Sequence, residues 1–136
     1  MSLLEYSKSY VPQYLDFVQI SKDHEKIHWH EDEVSLSTDM QQWRSGKISD
    51  AEKSLVRNIL RLFTTSDVAV GQGYYEKLIP VIKNNEARNM LGSFAARESV
   101  HQRAYALLSD TLGFGEDFYY EFLQYQEMAE KFEFMT

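Results

Sequence analysis

Apolar residues recur at spacings of three and four along most of the chain, broken by only two prolines and six glycines. That period belongs to helices rather than strands, so an all-α fold is expected. The clear breaks fall at Arg44-Ser45-Gly46 and Gly113-Phe114-Gly115. No repeat of fixed period, low-complexity tract or Ser/Gly linker divides the sequence, and residues 1–136 read as one domain.

Pro12 suits a first helical turn, and Tyr14, Leu15, Val18 and Lys22 continue a short amphipathic helix expected to dissolve into the charged stretch 22–26. A loop with Ile27-His28-Trp29-His30 follows. Ser49-Asp50-Ala51-Glu52 is a capping box, so a long helix should start there and run to about Ile79, before Pro80. A further helix is expected from about Asn85 to Leu112 with Gly113 as its C-terminal cap, and an aromatic-rich one from Glu116 to about Phe134. The sequence closes on Phe132-Glu133-Phe134-Met135-Thr136 without Gly, Pro or a polar tail, as though the polypeptide stopped inside a fold.

The formal charge of -7 and the lack of a basic block argue against nucleic acid as a partner. No cysteine is present, so any metal must be held by His, Asp or Glu. No run approaches the roughly 18 apolar residues that cross a bilayer, and the start lacks a basic segment followed by an apolar one; a cytoplasmic protein without a membrane partner is expected.

Leu91, Phe94, Glu98, His101, Tyr105 and Leu112 share one face of their helix, and Leu60, Phe63, Asp67, Val70 and Tyr74 share one face of the long helix. Two helices thus offer carboxylates to a core. An unpaired buried carboxylate is costly, so Asp67 and Glu98 need a common cation or a donor. Glu-x-x-His spacing lets Glu98 and His101 reach one ion, and oxygen and imidazole donors suit iron or manganese. The competing readings are a core ion pair and an acid satisfied by Arg97. A second Glu-x-x-His at Glu25 and His28 lies in a charge run without an apolar stripe and reads as a decoy. Tyr105, one turn beyond His101, is by itself read as core packing in a chain with nine tyrosines and eight phenylalanines.

The pattern resembles the small subunit of class I ribonucleotide reductase. Arg61-Leu-Phe-Thr-Thr-Ser-Asp67 is similar to the family's Phe-Phe-x-x-x-Asp helix, and Ala96-Arg-Glu98-Ser-Val-His101-Gln-Arg-Ala-Tyr105 to its Glu-x-x-His-x-x-x-Tyr helix. Trp29-His-Glu-Asp-Glu33-Val34-Ser-Leu36-Ser-Thr-Asp39 resembles its Trp-x-x-x-Glu-Val-x-Leu-x-x-Asp signature. The resemblance covers essentially the whole chain. It implies a ferritin-like helical bundle, with Asp67, Glu98 and His101 on the first iron of a di-iron centre, Glu98 bridging to the second. It also implies that Tyr105 is the radical phenol, that Trp29 begins the electron path towards the large subunit, and that Glu33 lies on the surface portion of that route. Trp43 is expected to be structural. Manganese or a mixed pair would suit the same donors.

The family's other ligands, a Glu and a further Glu-x-x-His, come from two later helices that have no counterpart in this sequence, and the tail that docks on the large subunit has none either. The expectation is therefore the N-terminal half of a split or truncated small subunit, an incomplete bundle completed by a partner chain carrying the C-terminal half. Two copies of each half would assemble, together with the large subunit that reduces ribonucleotides to deoxyribonucleotides. The alternatives are a free-standing ferritin-like di-metal homo-oligomer and an inactive regulatory fragment.

Overall fold

The computed structural model describes residues 2–135. The terminal Met1 and Thr136, on which the reading of the chain's ends partly rests, lie outside them. All regular elements among the described residues are helical: α1 (Leu15–Lys26), α2 (Ser37–Arg44), α3 (Asp50–Gly73), α4 (Asn85–Thr111), α5 (Asp117–Tyr120) and α6 (Gln126–Met135), with short 3-10 turns at Glu31–Glu33 and Glu121–Gln124. The all-α expectation holds, and it is consistent with a ferritin-like helical fold.

Local chemistry sets several boundaries as expected. The Glu52 amide donates to Ser49 Oγ at 3.3 Å while Glu52 Oε2 accepts from the Ser49 amide at 2.8 Å, the reciprocal pair of a capping box. Past Gly73 the helix widens into a π turn over Tyr74–Leu78, closed by the Ile79 amide donating to the Tyr74 carbonyl at 2.9 Å, and Pro80 ends it. At the end of α4, Gly113 takes φ +82°, and the Phe114 and Gly113 amides donate back to the Ser109 and Asp110 carbonyls at 3.1 and 3.0 Å. This is a Schellman stop, and the left-handed residue is the one that carries no Cβ.

Three expectations are corrected. Pro12 precedes α1 instead of entering it, because the amides of Gln13 and Tyr14 are capped from a distance by Glu86 Oε1 at 2.5 and 3.4 Å. Helix α1 also runs through the charged stretch, where Gln19 and Lys26 bond Asp23 at 2.9 and 2.8 Å across single turns. The segment from Glu116 to Phe134 is not one helix: α5 ends at Tyr120 and α6 begins at Gln126. Phe118 is inserted into the core at 2% exposure and Glu121 is ion-paired with Arg61, and these tertiary contacts prevail over an aromatic run of indifferent helix propensity.

The chain forms two compact units. The first holds the residues up to Trp29 with Val70–Ser99, and in it the Leu3 carbonyl accepts the amides of Lys83 and Asn84 at 2.8 and 3.0 Å. There α1 docks through His24, whose Nδ1 lies 3.0 Å from Ser93 Oγ and whose ring meets Phe94 edge-on at 4.7 Å. The second holds His30–Ala69 with the residues from Val100 onward. Its core is Leu60, Phe114 and Phe118, with Trp43, Val56, Tyr105, Leu108, Leu112 and Tyr119 packed around them.

Candidate metal centre

Glu98 and His101 leave the same side of α4 one turn apart. Asp67 comes from α3, and like His101 it belongs to the second unit; Glu98 is tied to His101 by an unbroken helical turn. One donor atom from each lies within 4.8 Å of the other two. Three donors about 2.1 Å from one ion are on average at most about 3.6 Å apart, so side-chain movement of about an ångström converges the set on a metal. Two carboxylates and an imidazole without thiolate fit a cation such as iron, manganese or zinc. Among the described residues this is the group of three or more such side chains with that geometry.

The stripe is only partly covered. All three donors are half-buried, and Phe63 and Val70, on the Asp67 face of α3, are each 40% exposed. A helix is covered only where another element lies on it, and the fully buried positions of α4 include Ala87, Ala95, Val100 and Ser109 instead.

Tyr105 follows His101 by one turn and is half-buried, its ring stacked on Phe63 with centroids 5.3 Å apart and planes 12° apart. Trp29 is half-buried in the loop after α1, whereas Glu33 ends the 3-10 turn Glu31–Glu33 and is exposed. Trp43 meets Phe114 edge-on at 5.6 Å, a packing role as expected. The decoy pair is not on one helix, since α1 ends at Lys26, and both Glu25 and His28 are exposed.

Flanking the candidate ligands on α4 are polar side chains whose partners the spacing does not reveal. Arg97 donates to the Trp29 carbonyl at 3.0 Å from Nη2. Gln102 Nε2 donates to the Asp67 carbonyl at 3.0 Å, which fixes the main chain behind that carboxylate. Arg103 pairs with Glu31, holding the Glu31–Glu33 turn and pushing that carboxyl below the usual glutamate range. Their common signal is position, long polar side chains adjoining Glu98 and His101. In the first unit the Tyr74 phenol is pushed up, mainly by burial and then by the Glu98 carboxylate.

The sequence model described as "Ribonucleotide reductase, small chain" matches residues 8–136. The chain belongs to that family. Among its relatives, the probable ribonucleoside-diphosphate reductase small subunit of Invertebrate iridescent virus 6 is 41% identical over 96% of this chain and 36% of its own length. A corresponding protein of Invertebrate iridescent virus 3 is 40% identical over 82% of this chain and 29% of its own. The ribonucleoside-diphosphate reductase small chain of Spisula solidissima is 34% identical over 73% and 25%. The chain thus spans about a third or less of the curated relatives it matches. The stretch matched to the ribonucleotide reductase small chain family contains Trp29, Glu33, Asp67, Glu98, His101 and Tyr105.

Proposed function

We propose that this chain acts as the N-terminal part of a ribonucleoside-diphosphate reductase small subunit. It gives Asp67, Glu98 and His101 to a di-iron centre and carries Tyr105 as the radical phenol that initiates ribonucleotide reduction in the large subunit. The observation that carries this reading is the convergence of those three donors within 4.8 Å, one turn from Tyr105, in a chain of this family. The remaining ligands come from a partner with the C-terminal part, in an assembly with two copies of each and in the cytoplasm. No helix among the described residues is long and apolar enough to cross a membrane.

Each residue has a definable task. Asp67 and Glu98 contribute negative charge against the cation, and His101 binds as neutral imidazole. When bound, the metal pair supplies the oxidising power, drawn from dioxygen, that removes one electron and one proton from a phenol. Tyr105 is that donor, with Phe63 covering one face of its ring. Trp29 passes the electron vacancy on, and Glu33, exposed at the end of its turn, is on the outward portion of the route.

The test is co-purification with the C-terminal part of the small subunit, metal analysis and electron paramagnetic resonance after exposure to iron and dioxygen. Bound iron and a tyrosyl signal lost in Tyr105→Phe are expected. A complex that binds no metal, or a signal that survives Tyr105→Phe, refutes the assignment.

A further inference from the structure

Arg97 stands one residue before Glu98 and is only 8% exposed. Its Nη2 and Nη1 donate to a single acceptor, the Trp29 carbonyl, at 3.0 and 3.4 Å, while its Nε has no hydrogen-bond partner among the described residues. A buried cation bonded to one carbonyl and to no carboxylate is costly, and an apolar side chain of similar length would fill the same space more favourably. What the guanidinium does that an apolar chain cannot is hold that carbonyl. Two nitrogens of one rigid plane converging on one oxygen restrain direction as well as distance, which a single rotatable ammonium would not.

The acceptor is the main chain of the loop carrying the indole, and the donor is rooted beside a metal-ligand position. We infer that Arg97 is a positioning residue for radical transfer: it clamps the Trp29 loop to α4 beside Glu98 and so fixes the separation between the indole and the ligand-bearing turn. The inference rests on the proposed role of Trp29, since electron transfer weakens steeply with separation and a wandering indole would transfer slowly. Arg97 touches neither substrate nor metal in this role.

The experiment labels this chain alone with fluorotryptophan and joins it to its unlabelled C-terminal partner. The two tryptophans give two fluorine resonances, assigned with Trp29→Phe. Arg97→Met keeps length and removes the donors; Arg97→Lys keeps charge and one donor group. Loss of a charge-assisted hydrogen bond raises opening of the Trp29 loop roughly 10- to 100-fold. In Arg97→Met the Trp29 resonance should therefore move towards its solvent-exposed position while the Trp43 resonance stays fixed, with intermediate behaviour in Arg97→Lys. Metal content and tyrosyl yield should be unchanged, and transfer to the large subunit should slow.

A Trp29 resonance unmoved in Arg97→Met overturns the clamp, and so does joint movement of both resonances, which would make Arg97 a packing residue only. If the unaltered complex binds no metal, the proposed function fails, yet the fluorine result still decides whether Arg97 holds Trp29.

Discussion

Replacing Glu86 by Gln changes one atom and should loosen the helix that leads to Trp29. Glu86 is 4% exposed, and its Oε1 accepts the Gln13 and Tyr14 amides just before α1, at 2.5 and 3.4 Å. Its Oε2 accepts from Asn84 Nδ2 at 2.8 Å. Asn84 cannot turn over to suit an amide, because its Oδ1 already caps α4 by accepting from the Ala87 amide at 3.0 Å. Glutamine therefore sets a donor against a donor on one side or the other. Losing one charge-assisted bond and weakening another is worth about 2–3 kcal/mol. The Gln13 amide, then the other donors, hold the Glu86 carboxyl below the usual glutamate range despite its burial. A lowered pKa contributes stability that is present above the unfolded value, about 4.3, and is lost as pH falls through the folded one. Since protonated glutamate, like glutamine, has lost the charge that strengthens these bonds, urea unfolding of wild type and Glu86→Gln should differ by about 2–3 kcal/mol near pH 7 and by less in acid. A gap below about 0.5 kcal/mol at neutral pH, or one that persists unchanged at low pH, would refute the reasoning.

Other expectations are more local. Phe118→Ala empties the core at a 2% exposed position and should cost about 3–5 kcal/mol in thermal or denaturant unfolding. Arg61→Met removes the partner of Glu121; because Glu121 reaches water, the loss should be about 2 kcal/mol, below that of a fully buried pair, as measured by the shift in denaturant midpoint. Ser49→Ala breaks the capping box of α3 and should lower stability by about 1 kcal/mol, with Glu52→Ala adding little more in the double variant. Removing His101 as His101→Ala should weaken metal binding at least about 100-fold by calorimetric titration, whereas His28→Ala should leave it unchanged.

The parts legible in the sequence are those settled by neighbouring residues. Ser49 with Glu52, Pro80 and Gly113 each fix a helix end through contacts within a few positions, and each end falls where expected. The cluster of three donors was legible for a similar reason: i, i+3 spacing puts Glu98 and His101 on one face, and the helical period puts Asp67 in the middle of another. What escaped depends on residues far apart. Nothing near Leu15 announces that Glu86 will cap α1, and nothing in the run from Glu116 foretells that Phe118 and Glu121 will be captured by α3. The π turn at Tyr74 and the reach of Arg97 to Trp29 are likewise invisible to periodicity. How far the donors are covered is not legible in a stripe, which says which face is apolar and not what lies on it.

The half-covered setting of Asp67, Glu98 and His101 has a chemical consequence. Three donors leave an ion with open coordination positions, and water would fill them while the stripe stands uncapped. Such an ion would come and go readily, yield to chelators and accept whichever divalent metal is most abundant. Selectivity and retention would then be acquired only on closure of the site, so the order of capping and loading would decide which metal is trapped.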